Sequence, residues 1–131
     1  MAKNSQVQFY YEAVERSLGI AALVHSGNTL YLSGIVSADE KMQVVGVGDM
    51  TAQINSIYDQ MEQILAMSQA TLANVVSEVL YTTNLQALVQ ANGARIARYA
   101  RFAPPATTGF QVSALFFPDA MLEIQATAVL D

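Results

Sequence analysis

Hydrophobic residues recur at helical spacing in the middle of the chain. Met50, Ile54, Ile57, Met61 and Ile64 lie three or four positions apart, as they would on one face of a helix. Asp49 precedes them and is a suitable N-cap. The pattern therefore predicts a helix over residues 49–68. We expect its opposite side to carry polar residues, namely Gln53, Asn55, Asp59, Gln60, Glu62 and Gln63.

A second helix is predicted from Asn84, a suitable N-cap, to about Arg101, because Pro104 and Pro105 prevent its continuation. Gly93 lies in its middle, where glycine costs about 1 kcal/mol relative to alanine, and we interpret it as a mark of close packing. The apolar set expected to face the core is Leu85, Leu88, Val89, Ile96 and Tyr99.

Runs with strand character surround these helices and predict strands at 7–11, 20–25, 29–32, 75–83, 107–117 and 122–130. The turn residues of 26–28 join two of them in a hairpin, and a short turn at 118–119 is expected to join the last two. Residues 12–18 are ambiguous, and 37–48 are predicted to form a surface loop with a short edge strand at 43–45. This order favours an α+β fold, with both helices on one face of a mixed sheet.

The last predicted strand places a carboxylate near the centre of the sheet. Glu123, Gln125 and Thr127 share one side, and the apolar residues between them share the other. Because a carboxylate there is costly without a partner or a task, Glu123 is a candidate general acid or base, or a residue that positions water. The alternative is a glutamate paired with a nearby arginine or hydroxyl group.

The preceding predicted strand carries a polar patch of small residues, Thr107, Thr108 and Gly109, which we expect to lie beside Glu123. Gly109 would let a ligand approach the backbone closely. The alternative is that these residues reflect only β propensity and a bend.

Composition narrows the class of protein. The 131 residues form a single predicted domain, and only 13% of them are charged, against about 25% in typical soluble domains. We therefore expect surface hidden in an oligomer. A net charge of −5 argues against nucleic-acid binding. The chain shows no cysteine, no signal-peptide core and no apolar run long enough for a membrane helix, so the expected location is cytoplasmic.

Several segments resemble the RidA/YjgF family. Residues 104–112 and 122–128 are similar to its signature P-P-A-R-T-(S/T/C)-V-x-V followed by (V/L)-E-I-x-A-x-A. Residues 26–34 are similar to G-N-x-L-(F/Y)-(V/L)-S-G-Q, and residues 72–76 stand in the place of L-x-x-V-V. The resemblance implies a chorismate-mutase-like fold and a homotrimer with clefts between subunits. It also implies that Glu123 helps to activate water for imine hydrolysis.

The resemblance further implies that Ser33, Gly34, Ile35 and Asn92 line the cleft, although an exposed helix residue is the alternative for Asn92. In the deaminating members the position of Thr107 is an arginine that holds the substrate's carboxylate with two hydrogen bonds. Threonine offers one neutral hydrogen bond instead. Ile35 replaces the family's glutamine after Ser33-Gly34. The chain thus resembles a divergent member with a less anion-friendly site.

Three basic residues, Arg95, Arg98 and Arg101, form a stripe on the second helix and are half of the six in the chain. They could supply, from a neighbouring subunit, the cation that Thr107 lacks, or they could contact phosphates. The alternative is a solvated face or salt bridges across a subunit interface. His25 is the single histidine and makes neither a metal site nor a catalytic triad, so no cofactor is expected.

Three functions remain open from the sequence. The first is hydrolysis of a small enamine or imine to a carbonyl compound and ammonia, which the presence of Glu123 favours. The second is a small-metabolite-binding module that uses the same cleft without turnover, which Thr107 favours. RNA cleavage is third, because basic and aromatic residues do not interleave and the chain is acidic.

Overall fold

Seven strands form one mixed sheet in the computed structural model, which describes residue 2 and residues 4–131. The strands are β1 (Ser5–Gln8), β2 (Leu23–Ser26), β3 (Thr29–Leu32), β4 (Ile35–Val36), β5 (Val75–Thr82), β6 (Ala106–Gln111) and β7 (Leu122–Val129). The helices are α1 (Glu12–Leu18), α2 (Met50–Ala66) and α3 (Leu85–Arg98), with a short 3-10 helix at Leu72–Asn74. The predicted α+β architecture is confirmed.

The strand order is β1-β2-β3-β7-β5-β6, and the short strand β4 also pairs with β7. Neighbouring strands are antiparallel except β5 and β6, which are parallel and connected through α3. The expected hairpin between the last two strands is therefore wrong, because β5 lies between them. The sixth strand also ends at Gln111 rather than at residue 117, since no described strand pairs with the residues that follow.

The predicted caps of the two long helices are confirmed. The side chain of Asp49 accepts a hydrogen bond from the Ala52 amide at 3.0 Å, and that of Asn84 accepts one from the Ala87 amide at 3.0 Å. Residues 12–18, which were ambiguous, form α1. It ends at Gly19, whose φ of 71° is in the left-handed region that glycine tolerates.

Two glutamines of α2 were wrongly predicted to face solvent. Gln53 is fully buried and Gln60 nearly so. The Gln53 side chain donates to the carbonyl oxygens of Gly46 and Asp119 and accepts from the Met121 amide at 2.8 Å. Gln53 thus connects α2 to two loops through three hydrogen bonds, which is why a polar residue is buried there.

The apolar set predicted for α3 was partly wrong. Leu88 and Tyr99 are buried, but Val89 is 68% exposed and Ile96 is 61% exposed. A Cβ atom at position 93 would have no other atom of the chain within 4 Å, so Gly93 does not mark close packing within this chain. The reason is that α3 packs mainly against α2, so much of its surface stays uncovered within this chain.

The register assigns each side chain of the central strands to one of two faces. Leu80, opposite Ile124, lies on the face that packs against the helices. Tyr81, opposite Glu123, lies on the other face. That second face carries large exposed apolar side chains, and we refer to it as the open face. Its exposed members include Tyr31, Phe110 and Val129.

Candidate functional site

A broad cleft of about 480 Å³ lies on the open face around Glu123. Its floor is formed by Tyr81 of β5 and by Glu123 and Gln125 of β7, and the segment 33–34 between β3 and β4 forms one wall. The irregular segment 112–116 forms the other wall. The cleft therefore forms where β4 replaces β3 as the partner of β7.

Glu123 has the properties of an available acid or base. It is half-buried, and within the described residues its carboxylate forms neither a salt bridge nor a hydrogen bond to a protein donor. Burial raises the pKa of this carboxyl group above its ordinary value, and no charged neighbour contributes. The alternative that Glu123 is paired with an arginine or a hydroxyl group therefore finds no support within one chain.

Gly34 gives the Glu123 side chain its space. A Cβ atom at position 34 would overlap the Glu123 carboxylate, with Oε1 as the nearest atom. Ser33 is fixed beside it, because its hydroxyl donates to the Ala21 carbonyl oxygen at 2.5 Å. Ser33 and Gly34 are thus the two predicted site residues that the fold brings to Glu123.

Other predicted site residues lie elsewhere in the same chain. Thr107 and Gly109 are opposite Glu78 and Leu80 of β5, on the helix-covered face, so they do not lie beside Glu123. Thr108 shares the open face with Glu123 but is on β6, with β5 between them.

The last two predicted site residues also lie on the side of the helices. Ile35 is buried opposite Ile124, and Asn92 is half-buried on α3. Six residues that line the cleft were missed, namely Tyr81, Val112, Ala114, Leu115, Phe116 and Gln125. The sequence placed Tyr81 on a strand, but only the pairing of β5 with β7 shows that it is opposite Glu123.

The arginine stripe is satisfied largely within the chain. Arg95 Nη2 donates to Glu78 Oε1 at 2.5 Å and to the Thr107 hydroxyl at 2.9 Å. Arg98 Nη2 lies 2.6 Å from Asp59 and 3.2 Å from Glu62. The side chains of Arg95 and Arg98 are only 11% and 20% exposed, so they do not form a freely solvated face. Salt bridges across a subunit interface stay a prediction.

The partner of Arg95, Glu78, is fully buried and was not anticipated. Its carboxylate also accepts from the hydroxyl groups of Tyr58 at 2.9 Å and Tyr99 at 2.8 Å. Burial, together with the negative charge of Glu78, raises the pKa of both tyrosines, so they stay protonated as donors. We call Glu78, Arg95, Tyr58 and Tyr99 the buried polar cluster.

A second, smaller cavity of about 100 Å³ lies between α1, α2 and β4. It is mainly apolar, and Ile35 and Phe117 contribute to its wall. Burial is the main reason that the pKa of Tyr11, also in its wall, is raised to about 12. Ser33 and Gly34 border this cavity as well as the Glu123 cleft.

Metal binding and membrane insertion receive no support from the described residues. Within that part of the chain, no group of three or more His, Cys, Asp or Glu side chains could hold a metal ion. Likewise, none of its helices has the length and apolar character required to cross a membrane. His25 is in the β2–β3 hairpin, with Nε2 3.0 Å from the Gly27 carbonyl oxygen.

Comparisons with known proteins concern the family and the fold. A family profile described as Endoribonuclease L-PSP matches residues 19–130. Protein DfrA of Myxococcus xanthus is 33% identical over 110 residues, which cover 83% of this chain and 82% of that protein. The 3-aminoacrylate deaminase RutC of Acinetobacter baylyi is 32% identical over 104 residues, 77% of this chain and 79% of that protein.

Among solved structures, the Rid-family protein YyfA of Yersinia pestis, a protein of unknown function, has a TM-score of 0.86 at 20% identity. The match covers 96% of this chain and 99% of that one. Rv2704 of Mycobacterium tuberculosis, a member of the YjgF/YER057c/UK114 family, has a TM-score of 0.82 at 22% identity, over 96% and 99% of the two chains. These similarities show the fold.

Proposed function

Because the chain belongs to the endoribonuclease L-PSP family, which includes the RidA/YjgF proteins, we propose that it hydrolyses a small imine or enamine in the Glu123 cleft. The observation that carries the proposal is the Glu123 carboxylate, which is half-buried and has no partner in the described residues. A relative named as a 3-aminoacrylate deaminase supports the reaction class.

The reaction is an addition of water followed by loss of ammonia. Glu123 takes a proton from water as the water oxygen bonds to the imine carbon, and the electron pair of the C=N bond moves to nitrogen. The protonated carboxyl group then returns that proton to the nitrogen, which gives a carbinolamine with one hydroxyl and one amino group. The carboxylate next takes the hydroxyl proton and passes it to the amino nitrogen, so that the C–N bond breaks, ammonia leaves and the carbonyl forms. An enamine enters the same sequence after it takes up a proton at carbon and loses one from nitrogen, which converts it to the imine. A carboxyl pKa raised by burial suits both roles, because it makes the group a better base when ionised and keeps the acid available.

The proposed working form is a homotrimer whose clefts lie between subunits. The open face carries exposed apolar side chains, and only 13% of residues are charged, as expected for surface that is covered by other copies. In such an assembly a neighbouring chain would supply Thr107, Thr108, Gly109 and Asn92 to the site. Residues 1–131 would act as one domain, in the cytoplasm that the cysteine-free sequence favours.

A binding module without turnover is the second candidate, and Thr107 favours it. The threonine hydroxyl accepts a hydrogen bond from Arg95 and donates to the Pro105 carbonyl oxygen at 2.9 Å. It therefore has no donor left for a ligand. RNA cleavage is third, because a net charge of −5 opposes binding to a polyanion.

The test compares the wild type with Glu123→Gln in an imine-trapping assay. Imines are generated in situ, and semicarbazide competes with the protein for them while ammonia is measured. We expect the substitution to reduce catalysed hydrolysis about 100-fold or more. Glu40→Gln is the matched control, since Glu40 is exposed and lies outside the cleft. Equal activity of Glu123→Gln and wild type would refute the role of Glu123. Binding without turnover in the wild type would favour the second candidate.

A further inference from the structure

We propose that the ligand of the Glu123 cleft carries no carboxylate group, and that its substituents away from the reacting nitrogen are uncharged and partly apolar. This inference rests on the proposed function, because it names the substrate class of the same cleft. It follows from the positions of the positive charges in the chain and from the groups that line the cleft.

Arg95, the arginine that contacts Thr107, is already bound to a buried carboxylate. Arg95 bridges Glu78 and the Thr107 hydroxyl, and its side chain is only 11% exposed. It lies on the face of the sheet that the helices cover, whereas Glu123 lies on the open face. Whichever copy supplies it, a guanidinium group that is neutralised by a fully buried carboxylate does not offer a ligand two free hydrogen bonds.

The remaining cations of the described residues are also outside the cleft. Arg98 bonds to two acidic residues of α2, and Arg16 pairs with Glu12 on the surface of α1. Over residue 2 and residues 4–131, no basic side chain lines the cleft. Glu123 is the one charged group in that lining, so a ligand carboxylate would meet a negative charge and no positive one.

The lining also indicates what the ligand does offer. Tyr81 and Phe116 present aromatic rings, and Tyr81 stacks on Phe110 with ring centroids 6.2 Å apart. Val112, Ala114 and Leu115 add apolar surface, while Gln125 supplies a neutral amide. Such a lining binds apolar and uncharged polar groups. The reacting nitrogen, neutral as an imine or positive as an iminium, is the group that suits the Glu123 carboxylate.

The test uses two isosteric probes that differ in one charge, 2-oxobutanamide and 2-oxobutanoate. Their dissociation constants are measured with the full chain by NMR titration at pH 7. We expect the amide to bind at least about tenfold more tightly, since the carboxylate is repelled by Glu123. In parallel, hydrolysis is compared for butan-1-imine and 2-iminobutanoate, made in situ by oxidases from butylamine and 2-aminobutanoate.

A gain-of-charge variant provides an independent readout. Gln125→Arg introduces a guanidinium group at an exposed position on the same face as Glu123, and it should reverse the preference toward 2-oxobutanoate. Gln86→Arg, on the exposed side of α3, is the matched control and should leave the preference unchanged. The wild-type comparison stands by itself if Gln125→Arg does not fold.

The outcomes separate this inference from the proposed function. Tight binding of 2-oxobutanoate by the wild type, including through a cation from another copy, would overturn the inference, and hydrolysis of 2-iminobutanoate would then still support the function. Preferential binding of the amide without hydrolysis of either imine would support the ligand class and refute the function. Failure to bind either probe would overturn the inference.

Discussion

The substitution Arg95→Met should lower the free energy of unfolding by about 3 kcal/mol. It would leave the Glu78 carboxylate in the interior without its cation. The Glu78 side chain is 0% exposed and that of Arg95 is 11% exposed, with 2.5 Å between their charged atoms. Since water reaches neither group well, little of the effect is lost to solvent screening. Methionine keeps most of the aliphatic packing of the arginine stem.

The contacts of Glu78 decide how much unfolding free energy is lost when Arg95 is replaced. Removal of one partner from a buried ion pair costs about 3–5 kcal/mol. Here the hydroxyl groups of Tyr58 and Tyr99 still donate to Glu78, at 2.9 and 2.8 Å. These two hydrogen bonds partly compensate the buried carboxylate charge that has lost its cation, so the lower end of the range applies. The unpartnered, buried Nε of Arg95 points the same way, because its loss removes a group that is already unsatisfied.

The assay is urea unfolding followed by circular dichroism, at one protein concentration because an oligomer's stability depends on it. Arg98→Met is the control, since its partners Asp59 and Glu62 are 63% and 48% exposed and the expected loss is below about 1 kcal/mol. The double variant Glu78→Gln/Arg95→Met removes both charges and should recover stability relative to Arg95→Met. Equal losses for Arg95→Met and Arg98→Met, or no recovery in the double variant, would refute the reasoning.

Three further predictions concern the cleft and the core. Because burial raises the folded-state pKa of Glu123, its stabilising contribution exists below the ordinary pKa of about 4.5 and is lost as pH rises through the folded value. Glu123→Gln should therefore raise Tm at pH 7 but not at pH 4, and an equal shift at both would contradict this. Gly34→Ala should reduce hydrolysis roughly tenfold with little change in Tm, because the added methyl displaces Glu123; unchanged kcat/KM would contradict it. Gln53→Ala should cost roughly 2–3 kcal/mol in urea unfolding, since three loop groups each lose a hydrogen bond, whereas exposed Gln86→Ala should cost nearly nothing.

Local features of the fold were predictable from the sequence because each depends on nearby residues. The caps at Asp49 and Asn84 each need only one side-chain oxygen and an amide three residues ahead. The alternation around Glu123 follows from the two-residue period of a strand, and the burial of β7 obeys it. Each of these patterns can therefore be recognised from a few neighbouring residues.

Features that depend on distant partners were not predictable in this way. A glutamate in a strand normally indicates the solvent side, yet Glu78 is buried because Tyr58, Arg95 and Tyr99 arrive from the two long helices. Similarly, Gln53 is buried because two separate loops need its amide. Strand order also depends on distant residues, since no local sequence pattern shows that β5 lies between β6 and β7.

The predicted site residues are separated within one chain, which is what the proposed site between chains requires. One chain places Glu123 on the open face with Ser33 and Gly34, but keeps Thr107 on the opposite face at the sheet edge. A cleft of about 480 Å³ that is open to solvent does not by itself exclude water from the imine or fix its orientation. A second copy packed on the open face would cover Glu123 and bring its own β6 edge against the ligand. Burial of Glu123 would then increase, and with it the rise in its pKa, so assembly and acid–base strength would change together.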